Sequence, residues 1–247
     1  MLKTIKQLLD DKENLNIVCG ASNALIAKLA ENAGFDGVWL SSFEMHAWDR
    51  LPDAYSKVGA SAMCIEDNTS PKRCSFYGMK VELEKPETMC GKIRAIKDKS
   101  GKEGFAAIAR TESLIQKKGH DVALERAKMY NDAGCDGFLI HSKSPTPDEV
   151  SKFADMYHAA DLRAPLVCVP TTYNSFTTEQ MKSAGFSLAI YANYSVRAAV
   201  KILTSLFADI VNSGTLSAGN DRTVPMSEIF ELIAVEEMKE NQKRYGS

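Results

Sequence analysis

Short apolar runs alternate with longer segments whose apolar residues recur every three or four positions, and this alternation persists along the chain. Near-continuous apolar runs bounded by turn residues are the mark of strands buried on both faces. They predict strands over 16–19, 37–41, 61–66, 105–109, 137–140, 165–169 and 188–191. The 3.6-residue pattern predicts helices over 23–32, 86–99, 119–133, 146–159 and 178–184, with two more over 195–212 and 226–245. One phrase recurs at the junctions, in ENAGFDGVWL, SKVGASAMCI, NDAGCDGFLI and KSAGFSLAI. Each closes a helical pattern with a glycine and opens an apolar run. Glycine suits the helix C-terminus because it takes positive φ without a Cβ clash. Gly34, Gly59, Gly134 and Gly185 are separated by 25, 75 and 51 residues, near multiples of a ~25-residue unit. A strand, a helix and two short loops fill such a unit, so the chain reads as a serial parallel α/β protein of the (β/α)8-barrel type. Seven strands are found where a closed barrel needs eight. The shortfall lies between the second and third strands, where about 19 residues holding His46, Trp48, Arg50 and Pro52 read mostly as loop.

Composition narrows the class without changing the fold. The 247 residues are 45% hydrophobic and 25% charged, with 30 Lys+Arg against 32 Asp+Glu and a net charge of −2. Near-neutrality gives no reason to expect nucleic acid or an anionic membrane as partner. No apolar run approaches the ~18 residues of a membrane span, and the first residues are too acidic for a signal peptide. A soluble, cytoplasmic protein is expected. No linker or composition shift divides the chain, which predicts a single domain over 1–247. Its C-terminal helices, about 195–245, are expected to serve oligomerisation. The six cysteines form no C-x-x-C pair and no zinc spacing. Cys19, Cys64 and Cys168 lie in apolar runs and read as small buried hydrophobes.

Barrel enzymes place their chemistry at the C-terminal ends of the strands. Those ends carry Gly20 to Asn23, Ser41-Ser42, Glu66-Asp67, Arg110-Thr111-Glu112, His141-Ser142-Lys143, Thr171-Thr172-Tyr173 and Asn193. Arg110 and His141 stand out, because each ends a buried strand and would sit in the mouth at a desolvation cost. Arginine, histidine and serine converging with carboxylates suit an anionic substrate and a hard cation such as Mg²⁺. Other positions keep two readings. Glu66-Asp67 is a ligand pair or an ordinary loop start, and Glu112 is a catalytic acid or the ion-pair partner of Arg110. Lys143 is a Schiff-base lysine, or a phosphate binder or loop ion pair. The stretch 68–80 (NTSPKRCSFYGMK) predicts a flap over the site. Within it Lys72 and Arg73 would favour the thiolate of Cys74, which is otherwise an incidental loop thiol.

The runs GASNALIAKLAENAGFDGVWLSSFEMHA, LPDA, IEDNTSPKRCSF, IARTE, LIHSK, VPTTY and YANYSVRAAV, with VPMSEIFEL near the end, follow one another along nearly the whole chain. Together they resemble the phosphoenolpyruvate mutase branch of the isocitrate lyase superfamily. The resemblance implies an α/β barrel with a helix swapped between subunits of a homodimer or homotetramer. It implies Mg²⁺ and a small anionic 2-oxo acid or phosphonate as substrate. Trp39, Ser41 and Ser42 match the motif around the substrate carboxylate and enolate oxygen, with Asn193 also lining the substrate. Asp53 and Glu66 match carboxylates that hold Mg²⁺ through water, Asp53 also lying near the transferring group. Arg110 and His141 match the phosphoryl-binding pair, and Lys72 begins the gating loop. Two departures stand out. The D-x-D-T-G-x-G strand that supplies the direct Mg²⁺ ligand has no counterpart, and its place coincides with the missing eighth strand. Cys74 stands where mutases tend to have Asn and phosphonopyruvate hydrolases have Thr, in a Lys72-Arg73-Cys74 run similar to that of the C–C lyases. The expected activity is interconversion of phosphoenolpyruvate and phosphonopyruvate, the alternatives being phosphonopyruvate hydrolysis or Cys-dependent C–C cleavage. An alternative of another class is a truncated, non-catalytic paralogue acting as an assembly partner.

Overall fold

The computed structural model describes residues 4–40, 61–69, 81–99 and 105–246. Its core is a curled sheet of seven strands: β1 (Asn16–Gly20), β2 (Gly37–Trp39), β3 (Ala62–Glu66), β4 (Ala106–Thr111), β5 (Gly137–Ile140), β6 (Leu166–Cys168) and β7 (Phe186–Tyr191). The spatial order is β2-β1-β7-β6-β5-β4-β3, and every pairing is parallel. This is the circular order of a β/α barrel opened between β2 and β3. Among the described residues those two strands are the edges, at the place where the repeat is one unit short. Strand bounds agree with the apolar runs to within two residues at most ends. The exception of consequence is β4, which extends through Arg110 and Thr111, so that Arg110 belongs to the strand itself.

Side-chain parity sorts the sheet into two layers. Alternate residues Val18, Ala106, Ile108, Leu139, Val167, Val169, Leu188 and Ile190 point inward and pack as one buried cluster. Leu8 and Leu9 close its N-terminal end. They come from a short helix, α1 (Ile5–Leu9), entered through a Thr4–Gln7 capping box. That helix is absent from the pattern-based expectation, because one and a half turns carry too little periodicity to read. The outward residues Ala109, Phe138, Ile140, Leu166, Cys168 and Ala189 pack against the helical layer. There Phe138 stacks on Phe153 and Tyr157 at centroid distances of 5.9 and 5.5 Å.

The helices are α2 (Ala24–Asn32), α3 (Pro86–Lys99), α4 (His120–Asp132), α5 (Asp148–Ala159), α6 (Thr178–Ser183), α7 (Tyr194–Ser213), α8 (Met226–Leu232) and α9 (Val235–Tyr245). A 3₁₀ helix, Leu216–Arg222, folds back on α7, where Arg222 bonds Asp209 at 2.8 Å. The expected continuous helix over 226–245 is instead two helices. Ala234 between them adopts the left-handed conformation, φ 55°, which ends one helical hydrogen-bond ladder before the next begins. The repeated junction glycines behave as expected where described, with φ of 90° at Gly34 and Gly134 and 80° at Gly185. Gly59 lies outside the described residues. Among those residues no helix is long and apolar enough to cross a membrane.

Candidate active site

The inward parity of the strands continues past the apolar cluster into polar residues. On β3 the inward series Ala62 and Cys64 ends in Glu66; on β4 Ala106 and Ile108 end in Arg110. On β5 Leu139 is followed two residues later by His141. Register places Arg110 beside Glu66 on one side and Leu139 on the other. Three neighbouring strands thus deliver a carboxylate, a guanidinium and an imidazole to one mouth.

Arg110 is the centre of the group. Its Nε donates to Glu112 Oε1 at 2.6 Å, its Nη2 lies 2.5 Å from the same oxygen, and Glu66 Oε2 is 3.7 Å from Nε. Burial opposes the charge of Arg110, but the carboxylates of Glu112 and Glu66 outweigh it and hold the guanidinium above its ordinary value. An arginine carries five N–H donors, of which two face Glu112 among the described residues. His141 is 3% exposed, and its ring centroid is 6.2 Å from that of Tyr173. Burial, then the charges of Arg110 and Lys143, push its pKa well below the usual histidine range. The imidazole is therefore neutral at pH 7. The next residue, Ser142, donates a short hydrogen bond to the Glu149 carboxylate, and its carbonyl accepts from Thr172 Oγ1 at 2.7 Å. These bonds tie the β5 loop to α5 and to the β6 loop.

Two of the open readings close at this point. Glu112 is fully buried and bonded to Arg110, so it is the ion-pair partner. Lys143 is solvent-exposed, unlike the desolvated lysines that form Schiff bases. Trp39 ends β2 on the inner face, half-buried against the inner cluster. Asn193 lies just past β7 with φ 68°, at the N-cap of α7. Ser41, Ser42, Asp53, Lys72 and Cys74 lie outside the described residues. Of the 68–80 stretch only Asn68 and Thr69 lie within the described residues: Asn68 bridges Leu83 in antiparallel fashion, and Thr69 N–H donates to Glu82 O at 2.9 Å. Cys168 is buried as expected, whereas Cys19 and Cys64 are only half-buried. Cys64 lies on β3, an edge of the described sheet, and Cys19 lies on β1, next to the other edge.

Mg²⁺ needs several oxygen ligands in octahedral array. Among the described residues no three His, Cys, Asp or Glu side chains converge on one point. Asp67 is saturated by four donors: Thr111 Oγ1, the Glu112 N–H, Arg126 Nη1 and Tyr130 OH, all at 2.8–2.9 Å. Glu112 is engaged by Arg110. Glu66 remains, with Oε1 accepting from Asn68 Nδ2 at 3.2 Å. The described side chains do not by themselves make a magnesium site. The Asp67 hub is also what the residue pattern missed. Its partners are 44 to 63 positions away, and the only local sign is an acid following a strand-end acid.

Against known proteins, the model of the phosphoenolpyruvate phosphomutase family matches residues 53–211. Phosphonopyruvate hydrolase from Variovorax sp. (strain Pal2) is 32% identical, over 95% of this chain and 96% of that protein. The crystal structure of phosphoenolpyruvate phosphomutase from Streptomyces platensis subsp. rosaceus superposes with a TM-score of 0.91 at 32% identity, covering 98% of both chains. A phosphonopyruvate hydrolase in complex with oxalate and Mg²⁺ superposes with a TM-score of 0.88 at 31% identity, again over 98% of each chain.

Proposed function

Because the chain belongs to the phosphoenolpyruvate phosphomutase family, within the phosphoenolpyruvate mutase/isocitrate lyase superfamily, we propose that it is an enzyme interconverting phosphoenolpyruvate and phosphonopyruvate. The observation that carries this reading is the pairing of a charged Arg110 with an uncharged His141 at the ends of adjacent strands. In the isomerisation the P–C bond of phosphonopyruvate breaks, and phosphorus bonds instead to the enolate oxygen, with no atom gained or lost. Little proton transfer is required, so positioning and charge stabilisation do the work. The remaining donors of Arg110 hold phosphoryl oxygens, and the neutral His141 offers one N–H without adding a second positive charge beside the guanidinium. Glu112 fixes the plane of the guanidinium, so the donors are aimed before the anion arrives. Trp39 and Asn193 flank the mouth as substrate-lining residues, with Ser41, Ser42, Asp53 and Lys72 completing the set. Magnesium belongs to the proposal through Glu66 and Asp53. The described side chains do not hold the ion by themselves.

A second reading, phosphonopyruvate hydrolysis, is favoured by the Variovorax relative, whose identity and coverage match those of the mutase structure. Water oxygen would then bond to phosphorus, and the released carbon would take a proton to give pyruvate. Phosphorus NMR of the purified chain with phosphonopyruvate and Mg²⁺ tests both. A phosphoenolpyruvate signal supports the isomerase, and free phosphate supports the hydrolase. An unchanged spectrum from folded protein overturns both and favours Cys-dependent C–C cleavage or a non-catalytic assembly partner. Arg110→Ala is expected to lower kcat/KM by about 10²–10³-fold, the scale of one lost preorganised charge contact.

The C-terminal helices are proposed to join subunits into a homodimer or homotetramer. Val200, Phe207 and Val211 on α7 are 61%, 58% and 79% exposed and share one face. Met226, Phe230 and Ile233 add exposed apolar surface nearby in sequence.

A further inference from the structure

We propose that Asp67, on the outer side of the sheet, is a positioning residue for the Arg110–Glu112 pair on the inner side. The inference rests on the anion-binding reading of Arg110 given above. Strand parity turns Glu66 and Arg110 inward and Asp67 and Thr111 outward, toward the helical layer. Asp67 holds the turn of chain that carries the pair from three directions. Its N–H donates to the Arg110 carbonyl at 3.1 Å. Its Oδ1 accepts the Glu112 N–H at 2.8 Å, and its Oδ2 accepts the Thr111 hydroxyl at 2.8 Å. The backbone on both sides of Thr111, and the Thr111 side chain, therefore end on one residue. A shift of Asp67 would move the roots of both Arg110 and Glu112, whose side chains meet at 2.6 Å on the other side.

A fully buried carboxylate is costly unless it is neutralised and hydrogen-bonded. Helix α4 does both, with Arg126 Nη1 and Tyr130 OH each 2.9 Å from Oδ2. These two residues sit one helical turn apart and bond each other at 2.9 Å. Arg126 also donates to the Glu84 carbonyl at 2.8 Å, and the Glu84 N–H donates to the Asp67 carbonyl at 2.8 Å. The hub thus links β3, β4, α4 and the segment entering α3, and it spends all of its acceptors on holding them. A brace for stability alone would have no need to grip the chain on either side of the guanidinium. Here each grip falls on the residues that aim Arg110.

The test uses the full chain and two independent readouts. The Nε–H of Arg110, hydrogen-bonded to Glu112, gives a ¹⁵N–¹H cross-peak that Arg110→Lys identifies by deletion. Asp67→Asn removes the negative charge that faces Arg126 and leaves one acceptor oxygen, so the Glu112 N–H and the Arg126 guanidinium, which can only donate, cannot both keep their bonds to separate oxygens. Its expected result is a shifted or exchange-broadened Arg110 cross-peak, and kcat/KM for phosphonopyruvate per folded site lower by about 100-fold. Thr111→Val removes one hydroxyl contact at nearly constant volume and is expected to move both readouts the same way by a smaller amount. Should Asp67→Asn fail to fold, Thr111→Val decides the matter. Folded variants with an unmoved Arg110 resonance and wild-type kcat/KM overturn the positioning role. If Arg110→Ala turns over phosphonopyruvate like wild type, the anion-binding reading fails instead, and the cross-peak alone then judges Asp67.

Discussion

At the scale of single residues, the mouth of the sheet is a problem in charge placement. Arg110 keeps its proton because two carboxylates compensate for burial, whereas burial and then the charges of Arg110 and Lys143 all disfavour a proton on His141. The difference has a consequence for stability. The folded pKa of His141 lies below its unfolded value of about 6.5. Below that pH the unfolded chain therefore binds a proton that the folded chain refuses. The contribution of His141 is fully present above the unfolded pKa and declines as pH falls through it, by up to about 1.4 kcal/mol per pH unit. Denaturant unfolding at pH 7.5 and 5.5 should show that loss, and His141→Asn should show less of it; an equal loss in both proteins would assign it elsewhere. The buried cysteines follow the same rule without a functional outcome. Burial pushes the Cys135 thiol up to about 12, which leaves no thiolate near neutrality.

At the scale of elements, the repeated unit depends on how each helix is turned back into a strand. The Gly134 N–H bonds the Asn131 carbonyl at 2.9 Å while φ reaches 90°, and two residues later the Asp136 N–H pairs with the Ala107 carbonyl at 2.8 Å. No atom lies within 4 Å of a Cβ built at Gly134, so a substitution there tests backbone conformation without a clash. Gly134→Ala is expected to destabilise the fold by about 1–2 kcal/mol, read as a lower denaturation midpoint with an unchanged m-value. An unaffected midpoint would mean that the turn relaxes to negative φ at no cost. The split between α8 and α9 comes from the same backbone rule applied at Ala234. A left-handed residue interrupts a helix, and an amphipathic pattern that runs through the break does not reveal it.

At the scale of the whole molecule, two features point outward from the chain. Among the described residues the sheet ends at β2 and β3, and α7 presents an apolar stripe to solvent. A stripe of this kind is stable in water when another surface covers it, and the proposed cover is a second copy of the chain. Light scattering on size-exclusion peaks should give at least twice the 27.1 kDa chain mass. Phe207→Asp with Val211→Asp should shift the protein toward monomer while leaving the far-ultraviolet spectrum intact. A wild-type protein that is monomeric at micromolar concentration would refute the assembly.

The sequence by itself determined the order of strands and helices, because burial on two faces and burial on one face leave different periods in the chain. It also determined which residues stand at strand ends, and alternation then put Glu66, Arg110 and His141 on the same side. The spacing between the second and third strands reads as one unit short, and among the described residues β2 and β3 are the edges of the sheet. Tertiary structure alone decided the rest. Only folding brings Asp67 to Thr111, Arg126 and Tyr130, since no local pattern couples residues so far apart. Only the assembled mouth brings the Glu112 carboxylate onto Arg110 and buries the His141 imidazole. Periodicity records which side of an element is dry; it carries no record of which polar groups meet once the dry sides are joined.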